Sequence, residues 1–132
     1  MQSTKSPGGS LFPYYYKGGE LHCLKYGSFY SDDKTLFSLM KAEEEFIISR
    51  NRQLNVWVDF YKTRLTRSVL NKFVENINHL QSHTKKLAIV GFSFGDKWRM
   101  RQMMKNAACS FSFPVKYFSD PEEAKTWLVG EV

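Results

Sequence analysis

The chain has 132 residues, of which 42% are hydrophobic, 24% charged and 16% aromatic, and it carries a formal net charge of +6. That length accommodates one continuous core and is short for two ordinary domains, and the composition is that of a globular protein rather than a disordered or fibrous one. No apolar run approaches the roughly 20 residues needed to cross a bilayer, and the polar, Gly-rich stretch Met1–Ser10 lacks the apolar region of a signal peptide, so the expected location is the cytoplasm.

Residues 1–13 mix Gln, Ser, Thr, Lys and Pro around Gly8-Gly9-Ser10 and read as a flexible lead-in, because such a segment buries too little surface to offset its ordering entropy. Tyr14–Lys17 and Glu20–Phe29 favour extended structure and flank Gly18-Gly19, which can supply the positive φ of a tight hairpin turn. Ser31, Asp32 and Asp33 offer caps for a helix carrying Leu36, Phe37, Met40, Ile47 and Ile48 and ending near Asn51. Leu54–Phe60 and Lys86–Gly91 read as strands, the second almost wholly apolar as in a sheet covered on both faces. Between them Thr66 is the expected N-cap of a helix whose stripe is Val69, Leu70, Phe73, Val74, Ile77 and Leu80, completing a right-handed β-α-β crossover. A third helix opens at Gly95-Asp96 and runs to about Ala108, Val115–Phe118 forms a last strand, and Asp120-Pro121-Glu122-Glu123 starts a final helix that buries Ala124, Trp127 and Leu128. The order is β-β-α-β-α-β-α-β-α, an α/β domain over residues 14–132.

The strand ending in Val58-Asp59, the strand Lys86–Gly91, the following Asp96-Lys97-Trp98, and Val115–Phe118 with Glu123-Ala124-Lys125-Thr126-Trp127-Leu128 together resemble the SpoIIAA-like branch of the STAS domains, over roughly Tyr14 to Leu128. The resemblance implies a STAS-like mixed β-sheet with an N-terminal antiparallel hairpin and about four helices covering the sheet. It also implies a non-enzymatic regulatory or interaction module in bacterial signalling, binding a protein partner or a small ligand and compatible with a homodimer. In anti-sigma-antagonist members a serine in a D-S-S-G or D-S-x-G motif at the start of the second helix is phosphorylated by a partner kinase. The corresponding stretch here, Leu65-Thr66-Arg67-Ser68-Val69, has neither the aspartate nor the glycine. Thr66 and Ser68 are the candidate phospho-acceptors, and each also suits a helix cap or first turn.

In a sheet with parallel crossovers the loops after the carboxyl ends of the strands share one edge, which ligands favour. Two such loops carry Lys62, Arg64 and Arg67 in one case and Lys97, Arg99 and Arg101 in the other. With two helix N-termini at the same crevice, a small anion or an acidic partner is expected there, although long basic side chains are commonly just solvated. Asp59 stands at a strand end, where a lone carboxylate also caps turns. Phe60, Tyr61, Phe92, Phe94 and Trp98 lie near the same strand ends, and as a lining they would suit a lipid or another small apolar ligand, the alternative function; as ordinary aromatics they would be core.

Other chemistries find less support. Gly91-Phe92-Ser93-Phe94 is similar to part of an RNA-recognition strand but lacks its leading basic residue and last aromatic, and the element order is wrong for that fold, so RNA binding ranks last. His79 and His83 share a helical face, yet no third ligand accompanies them, so no metal is expected. Cys23 and Cys109 lie far apart among apolar or small neighbours and read as buried thiols, with no histidine at a nucleophile's spacing. Glu43-Glu44-Glu45 cannot all face one cleft from a helix and reads as a solvated face. The expectation is a non-enzyme without cofactor, its binding surface formed by Asp59, Lys62, Arg64, Arg67, Phe92, Phe94, Lys97, Trp98 and Arg99.

Overall fold

In the computed structural model, residues 4–130 are described. Part of the predicted flexible lead-in, residues 1–3, lies outside them. The rest folds back on itself: strands β1 (Thr4–Lys5) and β2 (Leu11–Phe12) pair antiparallel, and Ser6, Ser10 and Phe12 are buried. Composition alone missed this because the segment's polar groups are satisfied from elsewhere in the chain. The Ser10 hydroxyl donates to the Cys23 carbonyl at 2.6 Å, and the Ser6 hydroxyl donates to the Glu43 carboxylate at 2.8 Å.

The main sheet begins with a second hairpin, β3 (Tyr14–Tyr16) and β4 (Gly19–Lys25). Its tight turn uses Lys17 (φ 47°) and Gly18 (φ 84°), while Gly19 enters the strand opposite Tyr16. Positive φ at both central residues is what a two-residue hairpin turn needs to match strand twist. The predicted strand through Phe29 stops early, since the Tyr26 N–H turns back to the Leu24 carbonyl and the Ser28 and Tyr30 N–H groups bond to the Tyr61 and Lys62 carbonyls instead.

Helix α1 (Asp33–Arg50) starts where Asp32 accepts a hydrogen bond from the Thr35 N–H at 3.2 Å, and it ends at Asn51 in the left-handed region. Its buried line is Leu36, Met40, Glu43 and Ile47, at steps of four, three and four. Two sequence expectations fail on that line. Ile48 is off it and 45% exposed, while Glu43 is on it and fully buried.

Strand β5 (Leu54–Asp59), helix α2 (Arg67–His79), strand β6 (Thr84–Val90), helix α3 (Phe94–Asn106), strand β7 (Val115–Phe118) and helix α4 (Pro121–Val129) follow, with a short 3-10 turn at Gln81–His83. The sheet order is β3-β4-β5-β6-β7, antiparallel only at β3–β4 and parallel across the other three pairs. Alternation along β5 splits the sheet into two faces. Leu54, Val56 and Val58 join Leu24, Leu87 and Ile89 under α1, α2 and α3, while Leu21, Ala88 and Val90 pack with Ala124 and Leu128 of α4 on the other side. This is an α/β domain with four helices, a five-stranded mixed sheet and a separate two-stranded one, consistent with the STAS-like fold that the resemblance implies. Among the described residues no helix is long and apolar enough to cross a membrane.

Candidate functional site at the carboxyl edge of the sheet

Three loops, after β4, β5 and β6, meet at the carboxyl edge. The first two zip together through backbone bonds, from the Ser28 N–H to the Tyr61 carbonyl (2.7 Å), from the Tyr30 N–H to the Lys62 carbonyl (2.9 Å) and from the Arg64 N–H to the Tyr30 carbonyl (2.7 Å). Thr63 completes the seam, since its buried hydroxyl donates to the Tyr26 carbonyl at 2.6 Å and accepts from the Phe29 N–H at 3.1 Å. The third loop leans on the second at Gly91. There φ is +102°, and a Cβ would stand 3.3 Å from backbone atoms of Phe60 and Tyr61, so glycine answers both the dihedral and the close approach.

Both helix starts at this edge are already capped. Thr66 Oγ1 accepts from the Val69 N–H at 3.1 Å, and Ser93 with Asp96 forms a reciprocal capping box at α3. The expectation that two open helix N-termini face an anion is therefore weakened by the chain's own oxygens. Thr66 is half-buried in its capping role, whereas Ser68 is exposed one residue into α2.

The predicted cations differ in what they engage. Arg99 donates to the Leu65 carbonyl at 2.8 Å and pairs with Asp96, so it ties α3 to the loop before α2. The Lys97 ammonium lies over the rings of Phe94 (4.9 Å) and Tyr117 (5.4 Å). Lys62, Arg64 and Arg67 are exposed. Arg101 instead lines a cleft with Met100, Met104 and Tyr117, on the β7 side. Burial pushes the Tyr117 hydroxyl above its ordinary pKa, against the opposing influence of nearby Arg101.

The aromatics divide in the same way. Phe60 is 1% exposed and packs edge-on against Phe73 with ring centroids 4.8 Å apart, so it is core rather than a lining. Half-buried Phe92 bridges Phe60, Phe73 and Tyr117. Phe94 is 88% exposed and Trp98 60% exposed, and Tyr61 and Tyr30 stand similarly free on the joined loops. Asp59 caps its own turn, accepting from the Tyr61 N–H at 2.9 Å, and by strand alternation lies with Trp57 on the α4 face. The edge thus offers Tyr30, Tyr61, Lys62 and Arg64 on one side and Phe94, Lys97 and Trp98 on the other.

One polar cluster escaped the sequence reading. Glu43 accepts from Ser6 Oγ (2.8 Å) and the Gly8 N–H (3.0 Å), and it faces His22 Nε2 at 3.1 Å, with both the histidine and glutamate side chains fully buried. The imidazole stacks on Phe46 and meets Phe12 edge-on, and its Nδ1 finds no partner. Neighbouring Glu44 accepts from Asn76 Nδ2 at 2.9 Å and pairs with His79 at 3.2 Å. His83 instead meets Ser82, and among the described residues no three His, Cys, Asp or Glu side chains converge as a metal site would need. The cluster works as a clasp holding the first hairpin against α1.

Comparison with known proteins agrees with this architecture. No curated protein and no solved structure matches the chain. The family described as SpoIIAA-like matches residues 31–129, from just before α1 to the last residue of α4. With well over half its length matched, the chain belongs to the SpoIIAA-like family.

Proposed function

We propose that this chain is a non-enzymatic, STAS-type regulatory module that docks an acidic protein partner on the carboxyl edge of its sheet. Family membership supports the coarse role of a regulatory or interaction module. The observation that carries the finer reading is the pair of aromatic rings left in solvent, Phe94 at 88% and Trp98 at 60% exposure, beside the Lys97 ammonium. Exposed aromatics next to cations are the residues that dominate protein interfaces once desolvated. Lys62 and Arg64 on the adjoining loop extend the same positive surface, and the chain's +6 charge favours an acidic counterpart. A protein surface fits better than a small anion, because Arg99 and both helix N-termini already have internal partners.

Affinity capture from a nuclease-treated lysate of the source cell, run in parallel with wild type and a Phe94→Ser/Trp98→Ser double variant, tests the proposal. The expected result is a protein retained by wild type and lost from the variant, whose purified form binds wild type in a calorimeter with affinity that falls as salt rises. An identical set of retained proteins for both baits contradicts the docking surface.

A further inference from the structure

On the α4 face the sheet is only partly covered. Helix α4 seats Ala124 and Leu128 on Leu21, Ala88 and Val90, while Cys23 and Trp57, two strands and one strand from β6 respectively, are left half-buried between α4 and the first hairpin. A cavity of about 540 Å³ opens there, bounded by Ser10 and Leu11 on one side and Lys125 on the other. That size falls within the range of small-molecule sites, and its place at the carboxyl ends of β4 and β5 is where such sites form in parallel sheets. Of the residues weighed from sequence as a ligand-binding edge, Asp59 and Tyr61 line it.

The chemistry of the lining limits what fits. Trp57, Tyr14 and Leu11 supply flat and aliphatic surface. Burial pushes the Cys23 thiol up to about 12, so it stays neutral and adds apolar surface rather than charge. Lys25 and Lys125 contribute two ammonium groups against the single carboxylate of Asp59, one oxygen of which is engaged by the Tyr61 N–H. Lys125 is held over the Trp57 ring at 5.6 Å and pairs with Glu122 at 3.3 Å. Within the lining two ammonium groups thus face one carboxylate, with Glu122 partnering Lys125 from outside it, and they stand at the border of an aromatic floor.

We propose that this cavity binds a small, flat, largely apolar monoanion, an aromatic carboxylate in the simplest case, with its ring against Trp57 and its carboxylate on Lys25 and Lys125. This cavity adjoins the carboxyl-edge docking surface and shares Tyr61 with it, but it opens on the α4 face and its ligand does not depend on the docked partner.

The matched probes 1-naphthoate and 1-naphthamide, titrated into the full chain by calorimetry, separate charge from shape. Naphthoate should bind saturably and about tenfold or more tighter than the amide, as a carboxylate held by ammonium groups requires. Lys25→Gln, at an exposed position remote from the core, should weaken naphthoate and leave the amide unchanged, and Lys25→Gln/Lys125→Gln should remove the difference between the two. Amide-proton shifts at Cys23, Lys25 and Trp57 should accompany naphthoate binding. Equal affinity for the two probes, wild-type naphthoate binding by Lys25→Gln, or no saturable naphthoate binding up to about 1 mM overturns the proposal.

Discussion

Under α1, α2 and α3 the sheet is closed by Leu24, Val56, Val58, Leu87 and Ile89, with Phe60 and Phe73 meeting at 4.8 Å, and little side-chain surface reaches solvent. Across the sheet one nine-residue helix, α4, packs on β4 to β7 and covers them only in part, and Trp57 and Cys23 stay partly open beside it. The three crossover helices follow from parallel connectivity, since each β-α-β unit must lay its helix on a face. The second face has only α4 and the first hairpin, so it keeps a cavity. One face is thus closed by three helices, and the two proposed binding surfaces sit where coverage runs out, at the open half-face and at the carboxyl edge.

That division can be broken by substitution, with stability read from urea denaturation. Phe73→Ala, at a fully buried position touching Tyr26, Phe60 and Phe92, should cost about 4 kcal/mol. A loss of similar size from Trp57→Ala would contradict the asymmetry between the faces. Glu43→Leu removes the acceptor shared by Ser6, Gly8 and His22 and should cost about 3 kcal/mol, with Glu43→Gln, which keeps an acceptor, losing less. Equal losses for the two variants would mean that packing rather than the hydrogen bonds holds the first hairpin.

Smaller effects sharpen the picture. Burial raises the Cys23 pKa to about 12, so at pH 8 the thiol is almost entirely protonated in the folded chain. Iodoacetamide should then label Cys23 on the order of a hundredfold more slowly at pH 8 than in urea, as read by peptide mass spectrometry; labelling at the unfolded rate would mean that the floor of the open face is freely wetted. Thr66→Ala deletes the cap on α2 and should cost about 1 kcal/mol. Phe94→Ser/Trp98→Ser, on rings that pack against little, should change stability by less than about 0.5 kcal/mol while abolishing partner capture. A large stability loss there would turn the exposed aromatics into structural residues.

Much of the fold was legible because local signals agree with the tertiary outcome. Val115–Phe118, the Asp120 and Thr66 caps and the α2 stripe all follow from spacing and side-chain type, and the structure keeps them. What was hidden depends on distant partners. Glu43 sits in a run of three glutamates, and its burial requires Ser6, Gly8 and His22, which lie 21 to 37 positions away. A signal was present in the 36-40-43-47 spacing, which continues the apolar line through Glu43 and leaves Ile48 aside. At the carboxyl edge, sequence could place Arg99 and Phe60 near the right loops but could not tell that one would tie down the Leu65 carbonyl and the other would join the core. The cavity on the α4 face was invisible, because Lys25, Trp57 and Lys125 come together only through strand order and the docking of α4.

The docking proposal is tested most directly by an amide-resolved titration of isotope-labelled chain with the protein that wild type captures and the Phe94→Ser/Trp98→Ser variant does not. The shifts should cluster at Tyr30, Tyr61, Lys62, Arg64, Phe94, Lys97 and Trp98 and leave α4 unchanged. Shifts centred on α4 or on the exposed side of α1, with the carboxyl edge silent, would contradict it.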